Sequence, residues 1–169
     1  MDTKDYKHIT HEFEPIFDDK SRGLILGTLP SVKSREGNFY YHHPQNRFWK
    51  VLAQICKNQT PETIAEKKAM LLANGIAIWD VVQSCDIIGS SDSSIKNVTP
   101  ADLAVILEKA PVKTIFLNGG KAWELYQKYC KGMTELPAVK LPSTSPANAA
   151  WSLDRLTEVW GEELKKGGL

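Results

Sequence analysis

Cysteine is scarce in this chain: Cys56, Cys85 and Cys130 are the only three among 169 residues, and they lie far apart. An odd count without a close pair excludes a disulfide framework and offers no zinc spacing. A four-cysteine iron–sulfur cluster is excluded by number. Long apolar runs are also missing. None approaches the ~20 residues of a membrane span, so neither a transmembrane helix nor a membrane partner is expected. Residues 1–8 are polar and lack the apolar stretch of a secretory signal, which makes a cytoplasmic location the expectation. An excess of one charge is absent too, with 21 Lys and Arg against 20 Asp and Glu. That balance neither demands nor forbids nucleic acid, because phosphate contacts need only a local basic face.

What is present is an ordinary globular mixture, 42% hydrophobic and 24% charged. The length suits one domain over residues 1–169, with a single core. Residues 1–22 show little periodicity. Residues 23–29 form a short apolar run ending at Pro30, the pattern of a buried strand. Residues 30–45 are rich in Ser, Gly, Asn and aromatics and are too long for a simple connector. A helical pattern starts at Asn46 or Arg47, with Phe48, Val51, Leu52 and Ile55 on one face. Thr60-Pro61 reads as a helix start and Gly75 as that helix's end. Residues 76–82 read as a second strand and 83–98 as a polar, Ser-rich loop, with Thr99-Pro100 opening another helix. Residues 112–117 form a third strand, and Asn118-Gly119-Gly120 its sharp exit. A helix over 121–130 and a fourth strand over 138–141 follow. After the loop 142–150, Ser152 caps an amphipathic helix through Leu153, Leu156, Val159, Trp160 and Leu164.

Strands alternating with helices predict an α/β fold, three-layer α/β/α around a central four-stranded parallel sheet. Right-handed crossovers place the loops 30–45, 83–99, 118–120 and 142–150 at one edge, where ligands of such sheets bind. Those loops contain no Walker glycine loop, GxGxxG, HExxH or GxSxG. Their acidic residues Glu36, Asp80, Asp86 and Asp92 are dispersed without ligand spacing, which argues against a metal-dependent nuclease. No metal and no cofactor is expected. Amides, hydroxyls and aromatic rings remain. Such groups suit a reaction that needs positioning and leaving-group stabilisation more than a strong base. Cleavage of a base–sugar bond is one, because its transition state is an oxocarbenium ion paired with a departing, negatively charged base.

Three segments carry a family resemblance: Gly27-Thr28-Leu29-Pro30-Ser31, His43-Pro44-Gln45-Asn46-Arg47-Phe48-Trp49-Lys50-Val51, and Ser143-Thr144-Ser145-Pro146-Ala147-Asn148. From about Gly23 to Trp160 the chain resembles the uracil-DNA glycosylase superfamily. Within it the resemblance is to the DNA-deoxyinosine (hypoxanthine-DNA) glycosylases, relatives of the mismatch-specific uracil enzymes. The resemblance implies base excision from DNA that contains a deaminated base, by flipping and hydrolysis, leaving an abasic site. Uracil-cleaving relatives carry Asp or Asn where this chain has Leu29, a side chain unable to position water. By resemblance Asn46 takes that role. Asn118 resembles the base-reading Asn, able to pair with O6 and N1–H of hypoxanthine, and Tyr41 the aromatic that stacks on the flipped base. Gly27, Thr28 and Leu29 would border the base, with Pro30 and Ser31 beside the DNA. Ser143 and Ser145 would contact phosphates, Pro146 would lie against the DNA, and Ala147 or Asn148 would fill the vacated stack. Related enzymes have His or Asn at the head of that loop, where this chain has Ser143.

Taken alone, the same residues have plainer readings. Asn46 before a helix is an N-cap, and Asn118 before two glycines is a turn residue. A uracil or broader deaminated-base glycosylase, a non-catalytic nucleic-acid-binding module and a nucleotide-binding flavodoxin-like domain remain alternatives. A monomer is the simplest state for a base-flipping enzyme.

Overall fold

The computed structural model describes residues 5–30, 34, 37, 39–89 and 91–169. Its strands are β1 (Lys7–Thr10), β2 (Gly23–Gly27), β3 (Ile76–Asp80), β4 (Val82–Ile87), β5 (Lys96–Pro100), β6 (Thr114–Asn118) and β7 (Ala138–Leu141). Its α-helices are α1 (Phe48–Ile55), α2 (Ile64–Ala73), α3 (Ala104–Leu107), α4 (Gly120–Tyr129) and α5 (Leu153–Lys166). Four strands form a parallel sheet in the order β3–β2–β6–β7. β2, β3 and β6 are buried at every position. Unbroken apolar runs such as Leu24-Ile25-Leu26 need cover on both faces, and the helices provide it, giving the expected three layers.

Local signals explain most boundaries. In α1, Phe48, Val51 and Leu52 share the buried face. Phe48 meets Trp160 of α5 edge-to-face, ring centres 5.9 Å apart. Ser152 caps α5, its hydroxyl accepting from Arg155 N at 3.2 Å. The start of α2 lies later than Thr60-Pro61 suggests. Thr63 is the cap, accepting from Glu66 N at 3.1 Å, because a Thr three residues before a Glu satisfies a free helix N–H.

The segment read as a loop over 83–98 is instead mostly strand. β4 pairs antiparallel with β1 on one side and β5 on the other, a second sheet of order β1–β4–β5. Its buried residues Val82, Cys85 and Ile87 do not alternate evenly, because the register shifts between Val82 and Ser84 and again between Ser84 and Asp86. Such bulges erase the period of two by which strands are recognised. Thr99-Pro100 ends β5 rather than starting a helix. Pro100 sits on an edge strand, where its missing N–H costs nothing. Residues 1–22 also include structure: β1 is held by backbone pairing, and Ile16 bridges Ile78 through bonds of 3.0 and 2.9 Å, closing the open edge of β3.

The chain leaves β2 for β3 on one side, then returns across it to β6 on the other. The switch point therefore lies between the carboxyl ends of β2 and β6, at Gly27 and Asn118.

Candidate active site

A cavity of about 480 Å³ opens at that switch point. It gathers Gly27, Thr28, Leu29 and Pro30 from the end of β2, Tyr41 and Asn46 from the approach to α1, and Asn118 from the end of β6. Ser143, Ser145, Pro146 and Ala147 close it from the loop after β7. Asn148 borders an adjoining cleft with Lys140 and Trp151. Ser31 lies outside the described residues. Sequence-distant segments thus converge because each leaves a neighbouring strand at the same sheet edge.

A hydrogen-bonded chain runs between the two candidate asparagines through Thr144, a residue that no pattern in the sequence singled out. The fully buried Thr144 hydroxyl accepts from Asn118 Nδ2 at 3.1 Å and donates to Asn46 Oδ1 at 2.9 Å. Thr144 N donates to Asn118 Oδ1 at 3.1 Å. Asn46 Oδ1 also accepts from Phe48 N at 2.9 Å. The side chain of Asn46 therefore caps α1, although the residue in the cap position is Arg47. A carbonyl oxygen has two lone pairs, and both are taken. Since the Phe48 N–H can only donate, the orientation of the amide is set, and Nδ2 is the end left for the cavity.

Asp80, which the sequence offered only as one of several dispersed acidic residues, is the second such residue. It ends β3 in register with Gly27 and lines the cavity while almost fully buried. His11, just past β1, bonds Asp80 Oδ2 through Nε2 at 2.8 Å, their side chains only 2% and 4% exposed. A β-carbon on Gly27 would stand 2.6 Å from Asp80 Oδ1 and 2.8 Å from the Tyr41 hydroxyl. Gly27 is thus required by close approach, and the two oxygens crowd the same α-carbon. Burial, reinforced by the Asp80 charge, holds the Tyr41 phenol well above its ordinary range. Tyr41 therefore stays protonated, a donor rather than a base. Its hydroxyl lies near enough to Asn118 for the carboxamide to oppose that shift, but makes no well-formed hydrogen bond among the described residues. The Tyr41 ring stacks on Phe48 at 3.9 Å between centres, and its backbone is left-handed, φ 51°, a conformation non-glycine residues rarely adopt away from functional sites.

The 142–150 loop is braced from inside. Arg47 Nη2 donates to the carbonyls of Ser145 (2.8 Å) and Asn148 (3.1 Å), and Nη1 donates to that of Trp151. Trp160 Nε1 donates to Pro142 O at 2.8 Å. The Ser143 hydroxyl accepts from Ser145 N, and the Ser145 hydroxyl from Ala147 N. Among the described residues each keeps its own O–H free, as a contact to an acceptor such as phosphate requires. The side chain of Asn148 is committed to Ser143 O at 3.0 Å, leaving Ala147 as the exposed tip. Gly119 turns the chain into α4 at φ 99°, ψ 167°, a region open essentially to glycine alone.

Among the described residues, no group of three or more His, Cys, Asp or Glu is placed to hold a metal ion, and no helix is long and apolar enough to cross a membrane. The model of the uracil DNA glycosylase superfamily matches residues 14–163. A hypoxanthine DNA glycosylase of Methanosarcina acetivorans is 35% identical over 152 residues, 89% of this chain and 95% of that protein. Another, from Methanosarcina barkeri, is 31% identical over 156 residues, 91% and 97% of the two chains. The solution structure of a proposed uracil DNA glycosylase from Methanosarcina acetivorans superposes with a TM-score of 0.77 at 32% identity, covering 90% of this chain and 94% of that one. The chain belongs to the uracil DNA glycosylase superfamily and is a DNA glycosylase.

Proposed function

We propose that the protein removes hypoxanthine, the deamination product of adenine, from DNA, leaving an abasic site. The whole chain, 1–169, acts as one glycosylase domain, as a cytoplasmic monomer without a cofactor. The observation that carries this reading is the Asn46–Thr144–Asn118 chain, which turns amide donors toward a cavity at the sheet's switch point. The names of the two relatives point to the same base.

The chemistry follows from which atoms are free. As the glycosidic bond stretches, the sugar becomes cationic and the base accumulates negative charge. Among the described residues, Asn46 Nδ2 retains both hydrogens and Asn118 Nδ2 one. Donors held in place before the reaction stabilise a developing anion at little reorganisation cost. Asn46 serves as a donor, to the leaving base or to the oxygen of the attacking water, because its carbonyl is occupied. Asn118 donates to O6. Tyr41, backed by Phe48, offers its other face to the flipped base. Leu29, Thr28 and Gly27 border the base, Pro30 lies beside the DNA, and Ser143 and Ser145 donate to flanking phosphates. Pro146 and Ala147 enter the gap in the stack, with Asn148 holding the loop's shape.

The test is single-turnover base release from duplexes carrying inosine, uracil or xanthine. Hypoxanthine should be released fastest, and Asn46→Ala and Asn118→Ala should each slow it by about 10²–10³. Wild-type rates in both variants would remove these residues from the site.

A further inference from the structure

Of the two carboxylates among the described residues that line the cavity, Asp80 and the exposed Asp92, the mechanism above uses neither, and Asp80 is the buried one. Asp80 is 3% exposed yet lines the cavity. Its Oδ2 is engaged by His11, and no hydrogen bond to Oδ1 is made by the described residues. Asp80 and Asn118 end the strands on either side of β2, with Gly27, which has no side chain, between them. The two polar side chains thus flank a gap at the sheet edge. An anionic carboxylate accepts and never donates. Burial makes a mismatched partner costly, since an unpaired polar group in a dry site loses its hydration without return.

We propose that Asp80, held by His11, selects bases in the lactam form by accepting their ring N–H. Hypoxanthine presents N1–H beside its C6 carbonyl, and uracil presents N3–H beside a carbonyl. Their parents adenine and cytosine present a bare ring nitrogen at the same position. A buried carboxylate bonds the first pair and repels the lone pair of the second. Asn118 Nδ2 donating to O6 and Asp80 Oδ1 accepting from N1–H would read the two atoms that deamination inverts. Guanine shares the lactam, so Asp80 does not reject it; Asp80 separates deaminated bases from their own parents. A general-base role fits the position poorly. The sugar stays attached to the DNA outside the cavity, whereas Asp80 is almost fully buried beside Gly27.

This inference rests on reading the cavity as the pocket for flipped hypoxanthine. Two duplex substrates test it, one carrying hypoxanthine and one carrying unsubstituted purine, whose N1 is bare. Asp80→Asn is the informative variant. Its carbonyl can keep the bond from His11 while its amide turns a donor toward the base. Hypoxanthine release should fall about 10- to 100-fold, the range of one well-placed hydrogen-bond pair, while purine release holds or rises. A preference that fails to narrow by at least about tenfold, as when both substrates fall together through a general loss of structure, overturns the proposal. Should Asp80→Asn not fold, Asp80→Ala is the second variant: it removes the acceptor without adding a donor, so the preference for hypoxanthine over purine should narrow by about tenfold, and an unchanged preference overturns the proposal. Wild-type protein that releases no hypoxanthine at all overturns the reading of the pocket itself, an outcome distinct from loss of selectivity.

Discussion

Thr144 shows how one hydroxyl can set the chemistry of two others. It accepts from Asn118 and donates to Asn46 while itself wholly buried. Thr144→Val keeps the shape and removes the oxygen. It leaves Asn118 Nδ2 and Asn46 Oδ1 each one partner short, at a cost to stability of about 1–3 kcal/mol. The larger effect should be on turnover, because Asn46 then keeps only the bond from Phe48 N to hold its amide. Single-turnover rates on inosine duplex should fall about tenfold or more, by analogy with the loss of a positioned donor, with DNA affinity unchanged and Thr144→Ser close to wild type. Equal rates for wild type and Thr144→Val would show that Phe48 N alone orients Asn46. None of this was legible in the sequence. Thr144 stands between two serines in a polar loop, and its partners lie 98 and 26 positions away. Asn46 was legible, but only as a choice between capping and catalysis; the structure has its oxygen capping and its nitrogen free.

At the scale of elements, the start of α1 organises the loop after β7. Arg47 reaches four carbonyls, those of Thr144, Ser145, Asn148 and Trp151, with one planar guanidinium, and its backbone N–H also donates to Thr144 O at 3.1 Å. Arg47 serves as a pin between α1 and the loop. A lysine cannot reproduce a fork of parallel donors. Arg47→Lys should therefore lower stability by about 1.5–3 kcal/mol and weaken binding to lesion-bearing duplex more than it slows the chemical step. Thermal unfolding together with active-site titration would check this, and an unchanged unfolding midpoint would mean that Trp160 alone holds the loop. The same scale explains the misread segment over 83–98. Two register shifts disrupt the alternation of β4, and the polar β1 pairs through its backbone, which leaves no apolar period to read.

At the scale of the whole molecule, the small antiparallel sheet has a consequence for the site. It delivers His11 from the opening segment to Asp80 at the far end of β3, 69 positions later. Removing residues 1–12 should leave the parallel sheet folded, since Ile16 and the bridge to Ile78 remain. The midpoint of unfolding should drop by roughly 4–8 °C, as for a loss of about 2 kcal/mol in a chain of this size. Hypoxanthine release should fall by more than that loss explains, because Asp80 loses its buried partner His11. Full activity in the shortened protein would show that Asp80 needs no brace.

The sequence by itself determined the class of fold and the edge of the sheet where chemistry occurs. Apolar runs at Leu24, Ile78 and Ile115 demand burial on both faces, and the alternation of strand with helix then sends the polar loops to one end. The motif around Asn46 also identified the family, because that stretch is long and specific. Only the tertiary structure decided which atoms face the cavity. That depends on lone pairs already occupied, on Asn46 Oδ1 above all, and on groups such as Thr144, Asp80 and His11 that have no local pattern. Hydrogen bonds between residues far apart in the chain leave no periodic trace in sequence, and it is those bonds that orient the site.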